Sequence, residues 1–199
     1  MESIQMYQSP VGRIYLTAED DALTGLWIEG QSGFAEIDQR WEEDDHSPVF
    51  RQAVAWLDAY FGDPDAPQRD CKLKTDDLPP LPKLAPKGSA FQQRVWKILL
   101  EIPYGELTTY GTIAKRIASE TGKKVMSAQA VGGAVGSNPI SIMIPCHRVI
   151  GQGGNLTGYG GGLDTKVALL TLEGIDTSKM RRPTKGRFAD HKEAKEAVK

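Results

Sequence analysis

The side chains with the clearest chemistry are Cys146, His147 and Arg148, inside the run Ile144-Pro145-Cys146-His147-Arg148-Val149. A thiolate is the reactive form of cysteine, and a neighbouring imidazole can take the thiol proton. A carboxylate can in turn hold that imidazole in one tautomer. Ile142, Met143 and Ile144 before the thiol, and Val149 and Ile150 after it, read as a short buried strand or extended segment. Pro145 stiffens that segment. On an extended chain neighbours point to opposite faces, so His147 needs a bridging water to reach the sulfur. The bland alternative is a buried structural cysteine, since free Cys is among the most buried residue types.

The elements around this run must hold it. Gly88-Ser89 opens a helix through Leu100, with Phe91, Val95, Ile98 and Leu99 on one face. Thr108 or Thr109 caps a second helix from Tyr110 to about Ser119. Ser127 starts a third, Ala128 to Gly136, which Asn138-Pro139 ends. The last two, joined by a short turn containing glycine, fit a helix-turn-helix. Gly132-Gly133 inside a helix costs about 1 kcal/mol per glycine relative to alanine, a cost that calls for a close approach by a partner. Beyond the thiol, residues 151–162 are a glycine-rich loop carrying Tyr159, without the Gly-Lys-Ser/Thr of a phosphate loop. Asp164 caps a final helix, Thr165 to Glu173. A carboxylate at a helix C-terminus opposes the dipole, and His147 is the cation expected to hold Glu173 there.

Upstream, residues 1–30 read as a β-meander, with turns at Ser9-Pro10-Val11-Gly12 and Glu19-Asp20-Asp21. Residues 31–47 are acidic and poorly patterned, with partial helix expected. Pro48 opens a helix with Ser47 as N-cap, an apolar stripe of Val49, Phe50, Ala53, Trp56, Leu57 and Tyr60, and Gly62 at its end. The stripe reads as core. Six of the 12 prolines fall in residues 63–87, a connecting loop with one short strand at Lys72-Leu73-Lys74. Three units result: an α+β domain at 1–87, a second domain at 88–178 that holds the helix-turn-helix, and a basic tail expected to be flexible at 179–199.

Net charge is −2, but it is unevenly spread: residues 1–87 hold 8 Lys/Arg against 17 Asp/Glu, and residues 88–199 hold 16 against 9. The second half therefore meets an anion, with nucleic acid first in line. Two cysteines make neither a disulfide framework nor a zinc site, and a reducing compartment is expected. No apolar run approaches a membrane span, and no secretory signal opens the chain.

The Ile144–Val149 motif, with Gly136-Ser137-Asn138-Pro139 before it and Tyr159 with its glycines and Leu170-Thr171-Leu172-Glu173-Gly174 after it, resembles the O6-alkylguanine-DNA alkyltransferases. The resemblance covers residues 88–175 closely and the first 87 only in layout. It implies an α+β protein: a small α+β N-terminal domain, then a mainly helical winged helix-turn-helix domain carrying the active-site cysteine. It implies DNA repair by irreversible, stoichiometric transfer of a methyl or other alkyl group from O6-alkylguanine, with O4-alkylthymine as a second substrate. The implied partner is double-stranded DNA, bound through the minor groove with the damaged base flipped out. A monomer without cofactor or metal is implied, in the cytoplasm, or the nucleus of a eukaryote. Position by position, Cys146 is the implied acceptor, His147 its base through a water, Glu173 the residue orienting His147, and Asn138 the brace of the turn. Tyr110 would donate to the guanine ring and Val149 offer main-chain contacts, with Arg148 among the substrate- and DNA-binding residues. Tyr159, Gly160 and Gly161 would close over the base. Gln129 stands where many members place an arginine that fills the gap left by the base, and Gly160 where some carry a hydroxyl side chain. Rival readings are a Cys-His hydrolase, a non-catalytic DNA-binding relative and a transcriptional regulator.

Overall fold

The computed structural model describes residues 2–31, 41–44, 46–62 and 77–183. The strand expected at Lys72-Leu73-Lys74, most of the acidic stretch 31–47 and the tail beyond 183 lie outside those residues. Three strands form the expected meander: β1 (Glu2–Ser9), β2 (Gly12–Glu19) and β3 (Ala22–Ile28), paired antiparallel. Both turns sit where predicted. Gly12 takes φ +110° and Asp20 φ 55°, left-handed values suited to glycine and tolerated by aspartate. A two-residue β4 (Glu42–Glu43) joins β1 in parallel, giving the order β3-β2-β1-β4.

Helix α1 (Pro48–Phe61) packs on this sheet through Val49, Phe50, Ala53, Trp56, Leu57, Tyr60 and Phe61. Its start differs in detail from expectation. Ser47 occupies the N-cap position, but its hydroxyl caps nothing; Asp44 Oδ1 instead accepts from the Ser47 and His46 amides at 3.0 and 2.8 Å. Asp44 thus fixes the chain entering the helix, ahead of its first turn.

The second half contains α2 (Ala90–Leu100), β5 (Thr108–Thr109), α3 (Tyr110–Glu120), α4 (Ala128–Gly136), β6 (Val149–Ile150) and α5 (Leu163–Leu172). Ser89 forms a full capping box with Gln92, Thr109 accepts from the Thr112 amide, and Ser127 from the Ala130 amide. Trp96, 1 % exposed, donates Nε1–H to the Ala134 carbonyl at 2.8 Å and so ties α2 to α4. The last helix starts earlier than predicted, with Gly162 at its N-cap; Asp164 lies in the first turn and pairs with Arg182 at 2.9 Å.

The halves share one core, running from Ile14, Leu26 and Phe50 to Trp96, Ile113, Val131 and Cys146. Strand β3 is an edge; its Leu23 pairs with the connecting stretch before α2, and its Leu26 with the segment after α4. The Leu23 amide donates to the Lys83 carbonyl and the Leu23 carbonyl accepts from the Ala85 amide, both 2.8 Å; Leu26 does the same with Pro139 and Ser141, both 2.9 Å. That covers backbone groups that would otherwise invite another chain. It also fixes the segment leading to the thiol directly on the N-terminal sheet. Among the described residues no helix is long and apolar enough to cross a membrane.

Truncating Trp96 should remove both a buried ring and the tie to α4. Trp96→Ala is expected to cost about 3–5 kcal/mol, read as a lowered denaturation midpoint with unchanged secondary structure in the folded fraction.

Candidate active site

The approach to the thiol is a tight turn, contrary to the extended segment expected. Ile142 has φ +68°, and Cys146–Arg148 form one turn of 3₁₀ helix before β6. Pro145 begins that turn, and the Met143, Ile144 and Cys146 amides bond to carbonyls only two to four residues back. An apolar run alone does not distinguish this from a strand.

Asn138 is buried at the centre of the turn. Its Nδ2 lies 2.8 Å from the Ile144 carbonyl, 3.2 Å from the Ile140 carbonyl and 3.2 Å from Cys146 Sγ, while Oδ1 accepts from the Ile140 amide at 3.0 Å. Two amide hydrogens serve three acceptors, so Asn138 both holds the backbone and faces the sulfur. Burial pushes the Cys146 thiol up; Asn138 and the charge of Lys166 pull against that. At rest the thiol is protonated.

Glu173 is the C-cap of α5 and 5 % exposed. Its Oε1 accepts from His147 Nε2 at 2.7 Å, Tyr60 Oη at 2.7 Å and Arg148 Nη2 at 2.9 Å. Its Oε2 accepts from Arg148 Nε at 2.8 Å and the Gly105 amide at 3.2 Å. Burial pushes this carboxyl up, but the hydrogen bonds from His147 and Arg148 and the guanidinium charge outweigh it and hold the group at about 2. An ionised carboxylate only accepts, so His147 Nε2 carries the hydrogen and Nδ1 keeps the lone pair. That Nδ1 is buried and bonds to no described residue; in particular it makes no direct bond to Cys146. Burial keeps His147 below its usual pKa, hence neutral at pH 7.

Two assignments change. Glu173 is held by Arg148 as well as by the expected His147, and Arg148 is the cation expected to meet DNA. Arg148 is 5 % exposed, its guanidinium engaged by Glu173 and by the Ile102 carbonyl at 2.7 Å, under the Tyr104 ring. A buried charge must be paired, so Arg148 belongs to the interior and not to the nucleic-acid face. Tyr60 comes from the N-terminal domain and completes the network, although its place in an aromatic stripe carried no signal beyond core.

Lys166 is a second residue the sequence reading missed. It is fully buried, with Nζ 2.6 Å from the Val149 carbonyl and 3.0 Å from the Thr157 carbonyl, and burial lowers it to about 8. A lysine at the inward spacing of Leu163 and Leu170 was the available sign. Val149 spends its N–H on the Cys146 carbonyl and one carbonyl lone pair on Lys166, leaving the other lone pair.

A cleft of about 1020 Å³ opens between α3, α4 and the glycine-rich loop. Tyr110, Gln129, Gly132, Gly133, Thr157 and Gly160 line it, and among the described residues Lys115 is its one formal charge. Burial raises Tyr110, so its hydroxyl stays a donor. An added Cβ would meet no described atom within 4 Å at Gly133 or Gly136. Internal packing therefore does not require these glycines, and their open side is the cleft. At its floor a void of about 10 Å³ lies beside Cys146, sharing Gly136, Gly158 and Gly160 with the cleft. Tyr159 is buried with its ring edge-on to His147 at 6.5 Å, and Gly161 sits against the Tyr159 ring and Ile28.

The chain matches two family models: 6-O-methylguanine DNA methyltransferase, DNA binding domain, over residues 90–175, and the ribonuclease-like domain of the same family over 4–69. A Methylated-DNA–protein-cysteine methyltransferase of Haemophilus influenzae is 42 % identical over 183 residues, 92 % of each chain. One of Methanosarcina barkeri is 46 % identical over 167 residues, 83 % of this chain and 93 % of that one. Among solved structures, Mycobacterium tuberculosis OGT in complex with DNA aligns with TM-score 0.67 and 40 % identity, covering 89 % of this chain and 94 % of that one. The M. tuberculosis O6-methylguanine methyltransferase aligns with TM-score 0.68 over 91 % and 96 %.

The folded Glu173 carboxyl titrates near 2 against 4.5 in a free chain, so its stabilisation is present above about 4.5 and lost as the pH falls towards 2. Neutral buried His147 acts in the same direction below its free value of 6.5. Melting temperature should therefore fall steeply on acidification. Glu173→Gln is expected to flatten that fall while costing about 3–5 kcal/mol at pH 7, because Arg148 is left buried and unpaired.

Proposed function

The chain belongs to the 6-O-methylguanine DNA methyltransferase family, and on that premise we propose that Cys146 is the residue that takes the alkyl group. The protein repairs DNA as a methylated-DNA–protein-cysteine methyltransferase. The observation that carries the assignment of Cys146 is the tautomer of its neighbour. Glu173 commits His147 Nε2–H and leaves a buried Nδ1 lone pair one residue from the thiol.

In the proposed reaction an O6-alkylguanine is turned out of the duplex from the minor-groove side and enters the cleft. The thiol proton passes through a water to His147 Nδ1, and Glu173 balances the imidazolium. Asn138 stabilises the sulfur anion by its hydrogen bond. The thiolate attacks the alkyl carbon in line; the S–C bond forms as the C–O6 bond breaks. Its electron pair goes to the guanine, which Tyr110 assists by donating to the ring. The remaining Val149 carbonyl lone pair faces the base edge. A thioether is a poor leaving group, so each molecule reacts once.

The void beside Cys146 is far smaller than a purine. The base therefore enters by displacing Gly158–Gly160, and Tyr159, Gly160 and Gly161 settle over it afterwards. Gly132, Gly133 and Gly136 let a DNA backbone approach α4 closely, and Gln129 occupies the space the base leaves, through hydrogen bonds without charge. Cys146 separates this reading from a non-catalytic DNA-binding role.

Incubation with duplex DNA containing O6-methylguanine should add one methyl to the tryptic peptide around Cys146 and no more than one per molecule. An unmodified peptide alongside intact lesion overturns the assignment. Cys146→Ser is expected to abolish transfer while DNA affinity stays within a few-fold. A separate outcome concerns α4: Gly133→Ala should raise thermal stability, by up to about 1 kcal/mol, yet weaken DNA binding measurably. Unchanged affinity there would remove α4 from the DNA-facing surface.

A further inference from the structure

The void beside Cys146 is bounded by Gln31, Val135, Asn138, Ser141, Tyr159 and Gly160. Of these, Gln31 alone comes from the N-terminal domain, just after β3. It is 7 % exposed, and its orientation is decided by its partners. Ile28 N–H can only donate, so the atom 3.2 Å from it is the carbamoyl oxygen; the same oxygen accepts from Ser141 Oγ at 3.0 Å. The carbamoyl group is thus clamped between the meander and the turn that carries the thiol.

We propose that Gln31 is a specificity-determining residue, the wall that limits the alkyl group Cys146 accepts. The proposal rests on Cys146 being the acceptor. About 10 Å³ is room for one water-sized group, which suits a single carbon. A longer alkyl chain reaches a wall. Tyr159 is packed on His147, Asn138 holds the turn and the sulfur, and Ser141 is already small. Gln31 is the long side chain at this void that is not tied to the proton relay. Displacing it breaks two hydrogen bonds in a nearly dry site. The N-terminal sheet therefore does more than support the second domain: it sets the depth of the alkyl subsite.

The test uses the full-length protein and duplex oligonucleotides carrying O6-methylguanine or O6-ethylguanine, with single-turnover rate constants for each. Gln31→Ala is expected to raise the ethyl-to-methyl rate ratio about tenfold, the scale of one methylene in a fitted pocket, the ratio cancelling any change common to both substrates. Gln31→Met keeps the length without the hydrogen bonds and should keep the original ratio. Gln31→Asn, the mildest truncation, should fall between and serves if the alanine variant does not fold. An unchanged ratio in the shortened variants that still transfer methyl overturns the proposal. So does a methionine variant whose ratio rises with the alanine one, since wall length is then not the determinant. No methyl transfer by the unaltered protein overturns the acceptor assignment itself, and this proposal with it.

Discussion

A single buried carboxylate organises the site. Glu173 sits where a helix dipole disfavours it and where solvent cannot reach it, so its charge must be met by protein groups. Five donors meet it: Arg148 twice, His147, Tyr60 and the Gly105 amide. They come from the active-site turn, from the N-terminal domain and from the loop after α2. None of those elements can move without exposing part of the charge to a low-dielectric interior. The geometry that orients the imidazole is therefore also a structural clamp, and positioning and stability are coupled through one side chain.

The clamp explains why the two halves are not independent beads. Leu26 of the edge strand pairs with Pro139 and Ser141, Gln31 reaches Ser141, and Tyr60 reaches Glu173. All three contacts fall on the two ends of the catalytic arrangement: the turn before Cys146 and the carboxylate behind His147. The acidic N-terminal domain thus controls the geometry of the domain that carries the thiol.

The opposite face is built on different terms. There the cleft is lined by small and neutral polar residues, with Lys115 as its one formal charge among the described residues. Close approach, paid for in helix stability at Gly132 and Gly133, takes the place of dense charge. Ionic strength acts mainly on charged contacts to phosphate, and a surface of this kind limits how many such contacts lie within the cleft itself.

Much of this was legible from the chain alone, because local rules govern it. The meander turns follow from Gly12 and Asp20. Ser89, Thr109 and Ser127 mark helix starts with side chains that satisfy nearby amides. Cys146, His147 and Glu173 stand out by residue type and position, and the resemblance adds Asn138. What the chain could not give depends on contacts far apart in sequence. The 3₁₀ turn at Cys146 looks like a strand because an apolar run is silent about backbone conformation. Arg148 reads as a DNA contact because charge is normally exposed; only packing shows the carboxylate that makes its burial tolerable. Tyr60 and Gln31 carry no local mark, since an aromatic in a helical stripe and an amide after a strand are ordinary core and loop residues. Their roles arise from folding the N-terminal domain onto the active-site turn, a juxtaposition decided by the shared core across more than 80 positions of sequence.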